Sequence, residues 1–221
     1  MYYAIITAGG TGQRMGTGSP KQFIKIGSKP IIVHTIEKFI AFNSSINLIL
    51  TLPEEYFNSW QEIKNEYLPN LQIALVKGGI TRFDSIKNAL AIIEDQNGIV
   101  AIHDAVRPFL SLKIIDDCYE SAKNTGSGVA AISLKDSIRE TDKNKSYARD
   151  RNNYKLMQTP QTFDIKKIVK AYAQAEDKSF TDDAGVWENA GFEVNLVEGG
   201  RLNIKITYPE DLLLAEAILK V

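Results

Sequence analysis

Short runs of consecutive apolar residues alternate along this chain with longer stretches in which apolar positions recur every three or four residues. The runs Tyr3–Ile6, Asn47–Leu52, Gln72–Val76, Ile99–His103 and Gly128–Ile132 are apolar on both faces, which predicts strands of a covered parallel sheet. Helices are predicted between them, at Pro30–Phe42, Glu54–Tyr67, Arg82–Ile93 and Leu112–Asn124. In the first of these, Ile32, Ile36, Phe39 and Ile40 form one apolar stripe. Strand and helix in alternation specify an α/β fold with a doubly wound, mostly parallel sheet. Such sheets bind ligands beyond the carboxyl ends of their strands.

The alternation breaks after residue 133. Asp136–Thr141 and Ser146–Asp150 flank the polar turn Asp142-Lys143-Asn144-Lys145, which predicts a protruding β-hairpin arm at about residues 134–156. A solvated loop is the alternative. A hairpin alone is marginal in water, so the arm needs a partner surface. Helices are predicted again near Asp164–Ala175 and Thr181–Ala190, then a strand at Glu193–Val197 and a last helix from Pro209. With no internal repeat, residues 1–221 read as a single domain carrying this arm.

Three motifs follow predicted strands and so fall on one edge of the sheet. Thr7-Ala8-Gly9-Gly10-Thr11-Gly12-Gln13-Arg14-Met15-Gly16 leaves the first strand, and Pro20-Lys21-Gln22 follows. Glycines let backbone N–H groups approach a polyphosphate, and Arg14 and Lys21 can neutralise a leaving pyrophosphate. The loop lacks the Gly-Lys-Ser/Thr of a P-loop, and Met15 stands where a dinucleotide fingerprint needs glycine. A plain glycine turn is the structural alternative, against which the spacing of Arg14 and Lys21 favours a nucleotide site. The second motif, Gly78-Gly79-Ile80-Thr81-Arg82-Phe83-Asp84-Ser85, opens a helix with Thr81 as its N-cap. Arg82 and Ser85 there suit a pyrimidine or ribose, although capping alone would explain the pattern. The third, His103-Asp104-Ala105-Val106-Arg107-Pro108, places a carboxylate suited to Mg²⁺ or substrate hydroxyls, or to a plain ion pair with Arg107. His103 reads as a satisfied buried histidine.

Further along, Arg149-Asp150-Arg151 ends the arm and offers guanidinium forks for phosphate, where solvated arginines are the plainer reading. Gln158-Thr159-Pro160-Gln161 follows it. Phe180-Thr181-Asp182-Asp183-Ala184 has the residues of a helix cap. Gly199 to Thr207 puts Asn203 and Lys205 inside an apparent apolar strand, which is odd without a ligand or partner.

Charge and composition narrow the picture. With 26 Lys and Arg against 27 Asp and Glu, the net charge of −1 argues against a nucleic-acid partner. One cysteine and two histidines exclude an intramolecular disulfide and a Cys/His zinc site, and Cys118 reads as helix packing. No apolar run reaches the ~18–20 residues that span a bilayer, and no secretory pattern opens the chain. The expectation is a cytoplasmic protein with no membrane partner.

Taken in order, these motifs resemble the 2-C-methyl-D-erythritol 4-phosphate cytidylyltransferase family of the non-mevalonate isoprenoid pathway. The resemblance rests on the glycine loop with Arg14 and Pro20-Lys21-Gln22, on Gly78-Gly79-x-x-Arg82-x-x-Ser85, and on His103-Asp104-Ala105-x-Arg107-Pro108. It continues through Asp150-Arg151, Gln158-Thr159-Pro160-Gln161, Thr181-Asp182-x-Ala184 and Asn203-Ile204-Lys205-x-Thr207-x-Pro209-Glu210-Asp211. It implies a Rossmann-like nucleotidyltransferase fold and a reaction of CTP with a sugar-alcohol phosphate, giving a CDP-alcohol and pyrophosphate. It also implies Mg²⁺ held mainly by substrate phosphates.

The resemblance assigns residues as well. Ala8, Gly9, Gly79 and Ser85 match positions that hold the cytidine, with Gly10, Gly12, Arg82 and Ala105 completing the substrate contacts. Arg14 and Lys21 match the phosphate-binding cations, and Lys205 matches the lysine beside the α-phosphate. Asp104, Arg107, Thr181 and Arg151 match the acceptor side. Arg151 would come from the arm of the other subunit, which implies a homodimer by arm exchange. Thr7 and Ile80-Thr81 depart from the family pattern, which commonly has proline and a more polar pair there. Ribitol-5-phosphate cytidylyltransferases share His-Asp-Ala-Val-Arg-Pro-Phe, and a non-catalytic nucleotide-binding regulator is the reading from another class. Acceptor-side motifs around Thr181 and Glu188-Asn189-Ala190-Gly191-Phe192 favour methylerythritol phosphate.

Overall fold

The structure is a computed structural model and describes residues 1–10, 20–176 and 178–220. In chain order its elements begin with β1 (Tyr2–Thr7), a short hairpin of β2 (Lys25–Ile26) and β3 (Lys29–Pro30), α1 (Ile31–Phe42), β4 (Asn47–Leu52), α2 (Phe57–Tyr67) and β5 (Ala74–Lys77). They continue with α3 (Arg82–Ala91), β6 (Ile99–Asp104), α4 (Leu112–Thr125), β7 (Ser127–Ser133), β8 (Ile138–Asp142) and β9 (Lys145–Arg149). The last are β10 (Lys155–Asp164), α5 (Ile165–Gln174), α6 (Asp183–Asn189), β11 (Leu196–Glu198) and α7 (Pro209–Ile218).

Seven strands form one sheet in the order β11-β7-β10-β6-β1-β4-β5. β1 lies parallel between β4 and β6, with Ile5 opposite Ile49 on one side and Ile102 on the other. β10 is antiparallel to both of its neighbours, β6 and β7, and β11 is parallel to β7. The sheet is thus mostly parallel, as expected. From β1 the chain first builds outward through β4 and β5, then returns to lay β6 on the other flank of β1. The carboxyl ends of β1 and β6 therefore bound the crevice where the direction of winding reverses.

Alternation along β1 explains why its strand is apolar throughout. Ala4 and Ile6 pack into the core formed with Phe39 of α1, Trp60 of α2 and Tyr119 of α4. Ile5 enters the opposite core, with Phe83 of α3, Tyr172 of α5 and Trp187 of α6. Every residue of β6 is buried, His103 and Asp104 included. The expected stripe in α1 is present, since Ile32, Ile36 and Phe39 are fully buried. Cys118 is buried against this core, and burial pushes its thiol up to about 12.

Two expectations need correction. Residues 155–164, read only as a polar motif, form the longest strand of the sheet, in which Gln158, Thr159, Gln161 and Thr162 are buried polar residues. Gly199 to Thr207 is not a strand: β11 ends at Glu198, and the following segment is a loop with its own internal hydrogen bonds. The arm is a hairpin as predicted, with β8 pairing only with β9, from Ile138 opposite Arg149 to Asp142 opposite Lys145. All residues of β9 are exposed.

Candidate active site

A cavity of about 250 Å³ opens at the carboxyl ends of β1 and β6. The backbone of Thr7 to Gly10 forms one wall, and Gly79 to Arg82 with Ser85 forms another. Lys21, Asp104 and Lys205 contribute side chains. Of the residues expected to bind substrate, Ala8, Gly9, Gly10, Lys21, Gly79, Arg82, Ser85, Asp104 and Lys205 meet here. Gly12 and Arg14 lie outside the described residues.

The first wall is fixed by strand geometry. Ala8 N–H donates to Thr51 O at 2.9 Å, and Gln22 Nε2 donates to Ala8 O at 2.8 Å. Gln22 thereby docks the turn Lys21–Phe23 onto the exit of β1. Lys21, only 8 % exposed, follows along this turn and donates to Ile206 O at 3.0 Å. A Cβ on Gly9 or Gly10 would meet only ordinary contacts within the protein, so packing does not demand glycine at either. Their bare backbone instead leaves the cavity open.

The second wall has a packing reason of its own. A Cβ on Gly79 would overlap Asp84, because the loop folds tightly onto the start of α3. Thr81 caps that helix in a reciprocal box with Asp84. Ser85 Oγ accepts from Gly79 N–H at 2.9 Å and donates to Thr81 O at 3.0 Å, which holds the loop against the helix.

Asp104 is the electrostatic centre. Lys205 Nζ lies 2.9 Å from its carboxylate, Arg107 Nε 3.5 Å and Arg82 Nε 3.9 Å. Burial alone would raise this carboxyl, but Lys205, Arg82 and Arg107 outweigh it and hold it well below the usual carboxylate range. Lys205, Arg107 and Arg82 face Asp104, and Arg82 is also paired with Asp183, so the cations exceed the carboxylates by one, and Lys21 adds to that excess. The site suits a ligand carrying several negative charges.

Sequence reasoning noted the polar residues of β10 without seeing what they hold. His103 Nε2 donates to Arg107 O at 3.2 Å, so its Nδ1 accepts from the Thr159 hydroxyl at 3.0 Å. Thr159 Oγ1 in turn accepts from Asp104 N–H at 3.1 Å. This chain of bonds fixes the turn that carries Asp104 and Arg107, and His103 is the satisfied buried histidine expected. Gln158 binds both the N–H and the carbonyl of Gly200, and Asn203 Nδ2 donates to Thr159 O at 2.8 Å. The loop that delivers Lys205 is therefore tied to β10, which accounts for the buried Asn203. The signal available in the sequence was four buried-type polar positions clustered within one apolar context.

Other expected residues stand outside the cavity. Ala105 is fully buried, with its N–H donating to Thr7 O and its carbonyl accepting from Thr35. Arg107 reaches the site through Asp104, and its Nη1 donates to Asn203 O at 2.8 Å. Thr181 is exposed just before α6. Arg151 is exposed at the root of the arm, where it donates to Lys135 O. Among the described residues no group of three or more His, Cys, Asp or Glu side chains is placed to hold a metal, and Asp104 is the only carboxylate lining the cavity.

Comparison with known proteins agrees over the whole chain. The sequence model of the 2-C-methyl-D-erythritol 4-phosphate cytidylyltransferase family matches residues 2–221. A protein of that name from Phocaeicola vulgatus is 44 % identical over 217 residues, covering 98 % of this chain and 99 % of the relative. A crystal structure of the Francisella tularensis enzyme of that name superposes with a TM-score of 0.81 at 31 % identity, covering 98 % of each chain. The 4-diphosphocytidyl-2C-methyl-D-erythritol synthase of Anaerococcus prevotii superposes with a TM-score of 0.86 at 28 % identity, covering 100 % of this chain and 99 % of that one. With its fold and nearly its whole length matched in this way, the chain belongs to the 2-C-methyl-D-erythritol 4-phosphate cytidylyltransferase family.

Proposed function

We infer that the chain transfers a cytidylyl group from CTP to 2-C-methyl-D-erythritol 4-phosphate, releasing pyrophosphate in isoprenoid precursor synthesis. One observation in the site carries this reading. The cavity combines an open glycine backbone with the ammonium groups of Lys21 and Lys205, and neither histidine nor the cysteine lines it. That inventory fits a reaction needing no strong base. A phosphate monoester is already mostly dianionic near neutral pH, its second pKa being about 6. One of its oxygens attacks the α-phosphorus of CTP, and the bond to the bridging oxygen breaks. The electron pair leaves with pyrophosphate. What the protein must supply is alignment and compensation of charge.

In this reading each residue has a role. The backbone of Ala8 to Gly10, with Gly79 and Ser85, receives the cytidine, and a glycine-walled slot rejects a purine by size. Lys21 faces the leaving phosphates and Lys205 the α-phosphate, with Arg14 as a further phosphate cation. Asp104, Arg107 and Thr181 serve the acceptor side. A divalent ion fits this donor set only as a companion of the substrate. One cavity carboxylate is too few for a protein cage, whereas Mg²⁺ is commonly held by one or two carboxylates plus substrate phosphates. Such an ion, when bound, would offset phosphate charge, and Asp104, the one carboxylate lining the cavity among the described residues, is the side chain that would touch it.

We further propose that residues 1–221 form one catalytic domain, and that the arm at about 134–156 exchanges between two copies to bring Arg151 to the partner's site. A cytoplasmic location is supported by a lone, buried, free thiol. No helix among the described residues is long and apolar enough to cross a membrane.

The test is pyrophosphate release with a panel of nucleotides and alditol phosphates. Methylerythritol 4-phosphate with CTP is expected to far exceed ribitol 5-phosphate, and CTP to exceed ATP and GTP. Equal or reversed acceptor preference would move the assignment to a ribitol-phosphate enzyme. Tight CTP binding with no release for any acceptor would make the chain a regulator.

A further inference from the structure

Asp183 and Asp104 are the two buried carboxylates among the described residues, and Arg82 stands between them. Asp183, at the start of α6, is fully buried and does not line the cavity. Its two oxygens take the Arg82 fork, at 2.9 Å from Nη1 and 2.6 Å from Nη2. The Tyr172 hydroxyl donates to the same carboxylate at 2.5 Å. Gln161 Oε1 accepts from the N–H groups of Asp183 and Ala184, both at 2.9 Å, so β10 fixes the carboxylate in place. With both terminal nitrogens engaged, Arg82 presents only its Nε edge to Asp104, at 3.9 Å. Lys205 holds the close position on Asp104 at 2.9 Å.

A guanidinium fork matches a carboxylate better than an ammonium does. Arg82, if freed, would therefore outcompete Lys205 for Asp104. We propose that Asp183 is a positioning residue that restrains Arg82, keeping Asp104 paired with Lys205 so that the lysine stays at the cavity. This rests on the transfer reaction proposed above. A buried ion pair is a costly way to fasten a helix, since apolar residues of similar volume often serve stability as well or better. Holding a cation at a set distance from a second carboxylate gives the pair a purpose that packing does not.

The experiment is Asp183→Asn, alone and combined with Arg82→Gln. The single variant removes the restraining charge in nearly the same volume. Its kcat is expected to fall about tenfold, part of the loss that follows removal of one charge-stabilising donor. KM for CTP should stay within about twofold, because the Gly9 and Ser85 walls are unaltered. The double variant, lacking the misdirected guanidinium, should regain several-fold in kcat over the single one. A purely structural role for Asp183, or a direct need for Arg82 at the substrate, predicts a double variant no better than the single, and that result overturns the proposal. A crystal structure of the single variant judges the restraint without any assay. Arg82 should be found forked onto Asp104 with Lys205 displaced, and an unmoved Arg82 refutes it even if the substrate assignment stands. Should Asp183→Asn fail to fold, Asp183→Glu keeps the charge while pushing the fork one bond towards Asp104. It should lower kcat several-fold in a folded protein, and an unchanged kcat refutes the restraint.

Discussion

Burial in the fold sets the protonation of His103. Burial, with the nearby Arg107 charge adding to it, lowers its pKa from the usual 6.5 to about 4, against opposing effects of its hydrogen bonds and Asp104. The folded protein thus holds it neutral over a range in which the unfolded chain binds a proton. Stability linked to this group is complete above about pH 6.5 and is lost progressively as pH falls towards 4. Between pH 7 and pH 5 the loss should be about 2 kcal/mol, at 1.36 kcal/mol per pH unit. Urea unfolding across that range should show it in the native sequence and not in His103→Gln. Parallel curves for the two proteins would mean that the imidazole is solvated enough to titrate normally. The two cavity lysines can be tested in the same kind of measurement. Lys205→Ala and Lys21→Ala should each lower kcat by about 10²–10³-fold, as for removal of one charge-stabilising donor. The Lys205 side chain is 42 % exposed, but it is the nearest cation to the buried Asp104, so its loss should cost stability through that carboxylate, with Arg107 and Arg82 offsetting part of it. Lys21 is buried and donates to Ile206 O, so its loss should also cost about 1–2 kcal/mol of stability. Normal kcat in Lys21→Ala would reduce the Lys21–Phe23 turn to a structural clip.

At the scale of elements, the loop between β11 and α7 determines where Lys205 sits. A Cβ on Gly199 would overlap Gln158 Oε1, the atom that accepts from Gly200 N–H and Asn203 Nδ2. Gly199→Ala should therefore displace this loop and lower kcat by at least tenfold, on the scale of a misplaced charge-stabilising donor. Global unfolding should shift by only about 1–2 kcal/mol, the cost of disturbed side-chain hydrogen bonds. An active Gly199→Ala protein would show that Lys205 is positioned by Asp104 alone. The dependence of one element on another also explains which parts were legible beforehand. β1, β4 and β6 are apolar at successive positions because helices cover both faces, so their pattern announced them. β10 did not announce itself. Gln158, Thr159 and Gln161 point their polar groups at the Gly200 loop, His103 and the first turn of α6, so burial there selects hydrogen bonding over apolarity. The same partners explain Asn203 and Lys205, which read as misfits in a strand and belong to a loop. Residues lining the cavity were visible as motifs. Asp183, which acts through Arg82, looked like a helix cap because its partner is a hundred residues away in sequence and adjacent only in the fold.

At the scale of the whole molecule, the arm is out of proportion to its own stability. β8 and β9 pair only with each other, and residues Tyr147, Tyr154, Leu156 and Met157 expose between 38 % and 52 % of their surface along the arm and its root. A two-stranded ribbon with such side chains gains little by standing in water. Arg151 sits at its base, away from the cavity of its own chain. These features fit a two-fold dimer in which each arm lies on the other copy and supplies Arg151 to that copy's cavity. A two-fold interface uses the same surface on both partners, so both sites would be composite. Arg151→Ala and Lys21→Ala should then each be nearly inactive alone yet complement one another. In a mixed dimer one cavity carries both lesions and the other carries neither. Equal amounts exchanged at random place half of the dimers in the mixed class, and half of their sites are intact. Activity should recover to about a quarter of normal by this symmetry. Failure to recover after demonstrated subunit exchange would return Arg151 to its own subunit, and a monomer at assay concentration would remove the arm exchange altogether.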